Sequence, residues 1–185
     1  MTDSAATRFT HRLATAADVP AIRDLMAAAI QVNMAAFLNE LEVEAVRESM
    51  GVDQTLIADG TYFVIETRDP EPRMAGCGGW GKRKTLYGGD TTAGRDDSLS
   101  DPKVDAARIR AMYTHPEFTR QGIGSLLLDL GENAAREAGF KSIELGSTVP
   151  GEPLYLARGY RELSRQTTMA ANGTENTIIH MSKAL

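Results

Sequence analysis

Between residues 113 and 128 the chain reads YTHPEFTRQGIGSLLL: a proline turn, a basic residue and two spaced glycines directly before an apolar helical repeat. A helix start leaves backbone N–H groups without partners and carries partial positive charge from the aligned peptide dipoles. Gly122 and Gly124 remove Cβ atoms that would hold an anion away from those groups, and Arg120 adds a full positive charge. Thr119 to Gly124 therefore reads as a cradle for a pyrophosphate. A Walker loop is excluded, because no GxxxxGK[ST] string occurs. A dinucleotide fingerprint is excluded as well, because Leu127 stands where its third glycine belongs. The same glycines could simply cap a helix, so the surroundings must decide.

Other reactive residue types are sparse. The single cysteine, Cys77, lies in an apolar run beside Gly76, Gly78 and Gly79 and reads as a small buried hydrophobe. His115 precedes a proline and fits a structural role in the turn. Glu66, Asp105 and Glu144 fall on or beside expected strands, where a solvated surface position is the simpler reading. Trp80 is expected in the core. Asp96, Asp97, Asp101 and Asp105 form an acidic cluster that would draw in a cationic substrate or merely solvate a loop.

The elements that must position these residues follow from hydrophobic period and turn signals. Phe9–Leu13 is a short strand. Thr15 with Asp18 forms a capping-box pattern ahead of Ile22, Leu25, Met26 and Ala29, which repeat at helical spacing. A second helical stretch, MAAFLNELEVEAVRESM, closes at Gly51. After an Asp59-Gly60 turn come the strands TYFVIET and RMAGCGGWGKRKTLY, the latter with glycines that suggest a bend or a close approach. Residues 88–104 form a long polar loop, and ARIRAMYT returns to strand. From Gly122 to Ala138 a helix places Ile123, Leu126, Leu127, Leu130 and Ala134 on its apolar face, with Gly139 as its stop. KSIELGS is a strand and EPLYLA a short helix; the last two strands flank Asn172-Gly173, a strong hairpin signal. The pattern predicts one α/β domain with a mixed sheet over residues 1–185.

Bulk properties set limits. A chain of 185 residues carries one good core. Its net charge of −5 argues against a general nucleic-acid binder. No basic segment followed by an apolar run stands at the start, and no run reaches the length of a membrane span. The expectation is a cytoplasmic protein with no membrane or nucleic-acid partner.

RIRAMYTHPEFTRQGIGSLLL resembles motif A of the GNAT N-acetyltransferase superfamily, whose cradle reads [QR]-x-x-G-x-[GA]; here the six positions run from Thr119 to Gly124, with Thr in place of the usual Gln or Arg. PLYLARGYR is similar to motif B of that family, with Tyr155 four residues before a glycine-aromatic pair, and HRLATAADVPAIRDLM resembles its strand-helix opening. The resemblance implies a mostly antiparallel, twisted mixed sheet flanked by about four helices, with a splay between the motif A strand and the next. It implies acetyl-CoA as cosubstrate, no metal, and a small-molecule or peptide amine as acceptor; a homodimer is common in the family. Amides of Arg120, Gln121, Gly122, Ile123, Gly124 and Ser125 would hold pyrophosphate. Backbone at Met112 and Thr114 would pair with the pantetheine arm, a strand amide near Met112 or Tyr113 would face the oxyanion, and Tyr155 would be the general acid. No residue matches a fixed family position for a general base. The competing expectation is a non-catalytic acyl-CoA-binding module of the same fold.

Overall fold

A computed structural model describes residues 8–90 and 92–185. The opening segment 1–7, part of the reading against a leader, and Thr91 of the polar loop lie outside the described residues.

Seven strands form one sheet in the order β1-β2-β3-β4-β5-β7-β6. These are β1 (Phe9–Leu13), β2 (Tyr62–Thr67), β3 (Met74–Gly81), β4 (Ala107–Thr114), β5 (Ser142–Ser147), β6 (Arg161–Met169) and β7 (Glu175–Ala184). All neighbouring pairs are antiparallel except β4 and β5. The helices are α1 (Val19–Ala29), α2 (Glu40–Ser49), α3 (Gln54–Ala58), α4 (Ile123–Glu137) and α5 (Glu152–Ala157). This is the mostly antiparallel mixed sheet flanked by helices that the resemblance implies.

Side-chain alternation along β2 shows how the layers divide. Tyr62 and Val64 pack with Ile22, Leu25 and Met26 of α1, Val43 of α2 and Leu56 of α3. Ile65 points the other way, onto Ile123 and Leu127 of α4. The sheet is thus covered on one face by α1–α3 and on the other by α4, with Ile143, Leu145, Ile179 and Met181 extending the second layer.

β3 ends at Gly81, short of the expected Tyr87, and α3 lies outside the expected elements; local signals otherwise act where the sequence places them, with three further corrections. Thr15 and Asp18 do reciprocate, the Thr15 backbone N–H reaching Asp18 Oδ2 at 2.7 Å, but they close a 3₁₀ turn (Ala16–Asp18) that leads into α1. The second helical stretch begins late: residues 30–34 widen into a π turn, and α2 starts only at Glu40, where Asn39 and Glu42 form a capping box. The buried face of α4 keeps Ile123 and Leu127 of the expected stripe and is otherwise shifted by about one position. Leu128, Gly131, Glu132 and Ala135 are buried, whereas Leu126, Leu130 and Ala134 are half-buried. Gly131 meets the tip of Ile109, and Glu132 is paired with Lys183 at 2.7 Å and accepts from the Tyr160 hydroxyl at 3.1 Å, so a glycine and a carboxylate sit where a purely apolar count puts neither.

Candidate active site

β4 lies along β3 but touches β5 at only two register positions, Ala107↔Ile143 and Arg108↔Glu144. Beyond Arg108 the parallel strands part, and from Leu145 to Ser147 β5 is paired with β7 alone. A cavity of about 1250 Å³ occupies the slot. Its walls include Ile123, Gly124 and Leu154 on the α4 side of the sheet and Ala29, Met34 and Met50 on the α1 side. The slot is what joins the two.

The α4 end of the cavity is an open helix start. Leu126 N–H is the first to reach back, to Gly122 C=O, so the amides of Ile123, Gly124 and Ser125 have no intrahelical acceptor. No side chain caps them. Arg120 (φ 62°) and Gly122 (φ 86°) both adopt left-handed backbone, which for Arg120 is uncommon and turns successive peptide groups toward one side. Arg120, Gly122, Ile123, Gly124 and Ser125 all line the cavity. Gln121 does not: its Nε2 donates to Glu117 C=O at 3.2 Å, which holds the turn. Gly124 also has a packing role, since a Cβ there would lie 2.8 Å from the end of Leu154 on α5.

The middle of the cavity is a β-bulge. Gly79 pairs with Arg110 and Cys77 with Tyr113, so Ala111 and Met112 together face Gly78 alone. Ala111 takes φ 48°, an uncommon value for a residue with a Cβ. Two contacts hold it. The Tyr62 hydroxyl donates to Ala111 C=O at 2.7 Å, and Gly78 gives Met112 room, because a Cβ at 78 would stand 2.8 Å from Met112 Cγ. The glycines of β3 thus answer a neighbouring strand and, at Gly76, the Ile123 side chain of α4. A bulge leaves an extra residue out of the ladder, and here that residue faces the slot. Met112, Tyr113 and Thr114 line the cavity; the Thr114 carbonyl already accepts from Asn33 Nδ2 at 2.8 Å and keeps one lone pair free.

Tyr155, on α5, lines the same cavity. Its ring meets Tyr160 edge to face, with centroids 5.8 Å apart. Burial pushes the phenol up to about 12, so it stays protonated throughout the neutral range. Tyr113 is pushed up as well, mainly by burial.

Several sequence candidates lie elsewhere. Cys77 is buried, and desolvation lifts its thiol to about 12, which suits a packing role. Trp80 packs edge to face on Phe140. His115 Nδ1 accepts from Glu117 N–H at 3.3 Å in the turn after β4. Glu66 pairs with Arg12, and Glu144 with His180 and Arg108. The acidic loop is turned on itself: Asp96 bonds Ser98, Asp97 bonds Arg95 and Thr85, and Asp101 and Asp105 bond within their own turn. Ser98 lowers the pKa of Asp96 and Arg95 that of Asp97. None of these acidic residues lines the cavity.

Four contributors carried no sequence signal for this site. Tyr62 and Asn33 reach β4 from distant elements. Tyr87 covers Gly146 of β5, its Cδ1 only 3.0 Å from where a Cβ would be. Arg110 lines the cavity with its guanidinium buried; it donates to Asp53 at 2.7 Å, Gly88 C=O at 2.6 Å and Thr85 C=O at 3.0 Å. Burial pulls its pKa down against the attraction of Asp53.

A family model described as an acetyltransferase (GNAT) domain matches residues 58–162, more than half of the chain and the whole of the cradle, bulge and Tyr155. The chain belongs to the GNAT acetyltransferase family. No curated protein matches the sequence. Among solved structures, this GNAT chain is similar to a GCN5-related N-acetyltransferase from Rhodopseudomonas palustris, with TM-score 0.69 and 19% identity over 100% of this chain and 98% of that one. It is also similar to yncA from Salmonella typhimurium, solved with its cofactor acetyl-CoA, with TM-score 0.63 and 16% identity over 96% and 94% of the chains. A third likeness is to the ribosomal-protein-S18-alanine N-acetyltransferase of Escherichia coli, with TM-score 0.58 and 16% identity over 95% and 93%. At these identities the likeness is one of fold.

Proposed function

We propose that this GNAT chain moves an acetyl group from acetyl-CoA to a primary amine by direct attack in a ternary complex. One observation carries the reading: a single cavity joins the uncapped start of α4, the bulge of β4 and Tyr155. The open amides of Ile123, Gly124 and Ser125, with Arg120 beside them, fit a pyrophosphate. The Cβ-free positions 122 and 124 leave the anion room to approach. A pantetheine arm fits the free edge of β4 at Met112 and Thr114 as an added strand would.

The chain's residues then meet the needs of acyl transfer. The amine nitrogen forms the new N–C bond as the C–S bond breaks. Negative charge developing on the carbonyl oxygen is met by a bulge amide at Met112 or Tyr113, held ready by the Tyr62 tie to Ala111. Tyr155 donates its proton to the departing thiolate and is reprotonated from water. The amine loses its proton to solvent.

Release of free thiol from acetyl-CoA tests this. The reading predicts release that depends on added amine, with intersecting double-reciprocal plots for the two substrates. Parallel plots would contradict direct attack. Binding of acetyl-CoA with no amine-dependent release would leave a binding module in place of an enzyme.

A further inference from the structure

The cavity changes character as it crosses the sheet. On the α1 side its wall is mainly apolar, with Val32, Met34, Phe37, Met50, Leu86 and Ile178, Tyr87 at the slot, and the uncharged polar Asn33, Thr168 and Asn176 between them. Val32, Phe37 and Tyr87 are 55%, 69% and 46% exposed, so large apolar groups stand open to water around one opening. Among the described residues no Asp, Glu or His lines the cavity; its ionisable side chains are Arg110, Arg120, Tyr87, Tyr113 and Tyr155. Asp53, which pairs with the wall residue Arg110, is itself buried and also bonded to Arg95.

We infer that the acceptor is a small amine on an apolar body, aromatic or branched aliphatic, and that it is bound as the free base. The inference rests on the acetyltransferase reading for its chemistry and on the wall alone for its selectivity. An ammonium entering this arm leaves water and meets no counter-charge among the side chains that line it. A polyamine brings several such charges and no surface to set against Val32, Phe37 and Tyr87. The acidic loop places no counter-charge inside the arm, since none of its carboxylates lines the cavity. The missing base becomes intelligible: the arm selects an amine already deprotonated, so no side chain need take the ammonium proton, and the N–H proton released on attack passes to solvent.

The test measures amine binding to the protein without acetyl-CoA, by calorimetry, with 2-phenylethylamine and spermidine as probes. Phenylethylamine binds at least about tenfold more tightly than spermidine, and more tightly at pH 9 than at pH 7 as the free base grows. Phe37→Glu, at a surface position that tolerates a charge, cuts the preference by at least about tenfold, the scale of one unit of pKa-linked interaction. Equal or tighter binding of spermidine, no measurable binding of either amine, or an unchanged ratio in Phe37→Glu overturns the inference. A parallel acetyl-CoA titration of both proteins separates the two readings. Loss of acetyl-CoA binding in the unaltered protein removes the transferase reading, whereas amine selectivity is read from the amine titrations alone.

Discussion

Tyr155→Phe lowers kcat about a hundredfold and leaves the affinity for acetyl-CoA unchanged. The substitution deletes one oxygen from a ring whose packing against Tyr160 is otherwise kept. General acids contribute roughly 10²–10⁴ in rate, and the low end is expected here because a phenol near 12 passes its proton uphill to a thiolate of ordinary basicity, about 8.5. The same value fixes the alkaline side of the pH profile. The group stays protonated below its pKa, so the unaltered enzyme shows no fall in kcat from this residue up to about pH 10. Steady-state kinetics with saturating acetyl-CoA measures both. Equal kcat in the Phe variant would remove Tyr155 from the chemistry.

Asp53→Ala has the largest effect on stability, a loss of about 3–5 kcal/mol. Arg110 and Asp53 are both buried, 2.7 Å apart, and removing one partner leaves a guanidinium in a low-dielectric site without its counter-charge. Arg95 loses a partner at the same time, and α3 loses its N-cap, where Asp53 accepts from Thr55 N–H at 3.1 Å. Against a typical domain stability of 5–15 kcal/mol the change is close to unfolding. The partly exposed Arg83–Asp59 pair offers the contrast: Asp59→Ala costs no more than about 1 kcal/mol. Urea midpoints at constant slope measure both. A shift for Asp53→Ala no larger than that for Asp59→Ala would contradict the assignment of Arg110 as a buried, charge-dependent anchor of the cavity wall.

The legible parts of the molecule are those set by local pattern. Strands β2, β4 and β5, helix α5 and the final hairpin follow from alternation, chain breaks and Asn172-Gly173. Gly122, Gly124 and Arg120 marked the uncapped start of α4, because a helix start with no side chain over it has a local signature. Long-range coincidence is what the sequence hides. Nothing in TYFVIET says that the Tyr62 hydroxyl will reach Ala111, forty-nine residues away, or that the bulge there needs Gly78 opposite. Leu126, Leu130 and Ala134 fit an ideal helical stripe, yet α4 presents Leu128, Gly131 and Ala135 inward, because close contact with Ile109 and the Glu132–Lys183 pair set its rotation. The acidic loop read as a possible lure for cations, and its side chains instead hold the loop together, a choice made by Arg95 and Thr85. The resemblance to GNAT motifs supplied the splay; the two-position β4–β5 register is its physical form.

The central claim is that acetyl-CoA lies with its pyrophosphate on the start of α4. Calorimetric titration of the protein with acetyl-CoA, with desulfo-CoA and ATP as controls and Gly122→Ala as the variant, tests it most directly. The account predicts saturable one-to-one binding of both CoA compounds and none of ATP, because the pantetheine arm is read along β4 as well. In Gly122→Ala, where φ of 86° strains any side chain by about 1–2 kcal/mol and so disturbs the turn that sets the open amides, binding falls at least about tenfold while the protein stays folded. Absence of acetyl-CoA binding to the unaltered protein, or binding that Gly122→Ala leaves untouched, would contradict it.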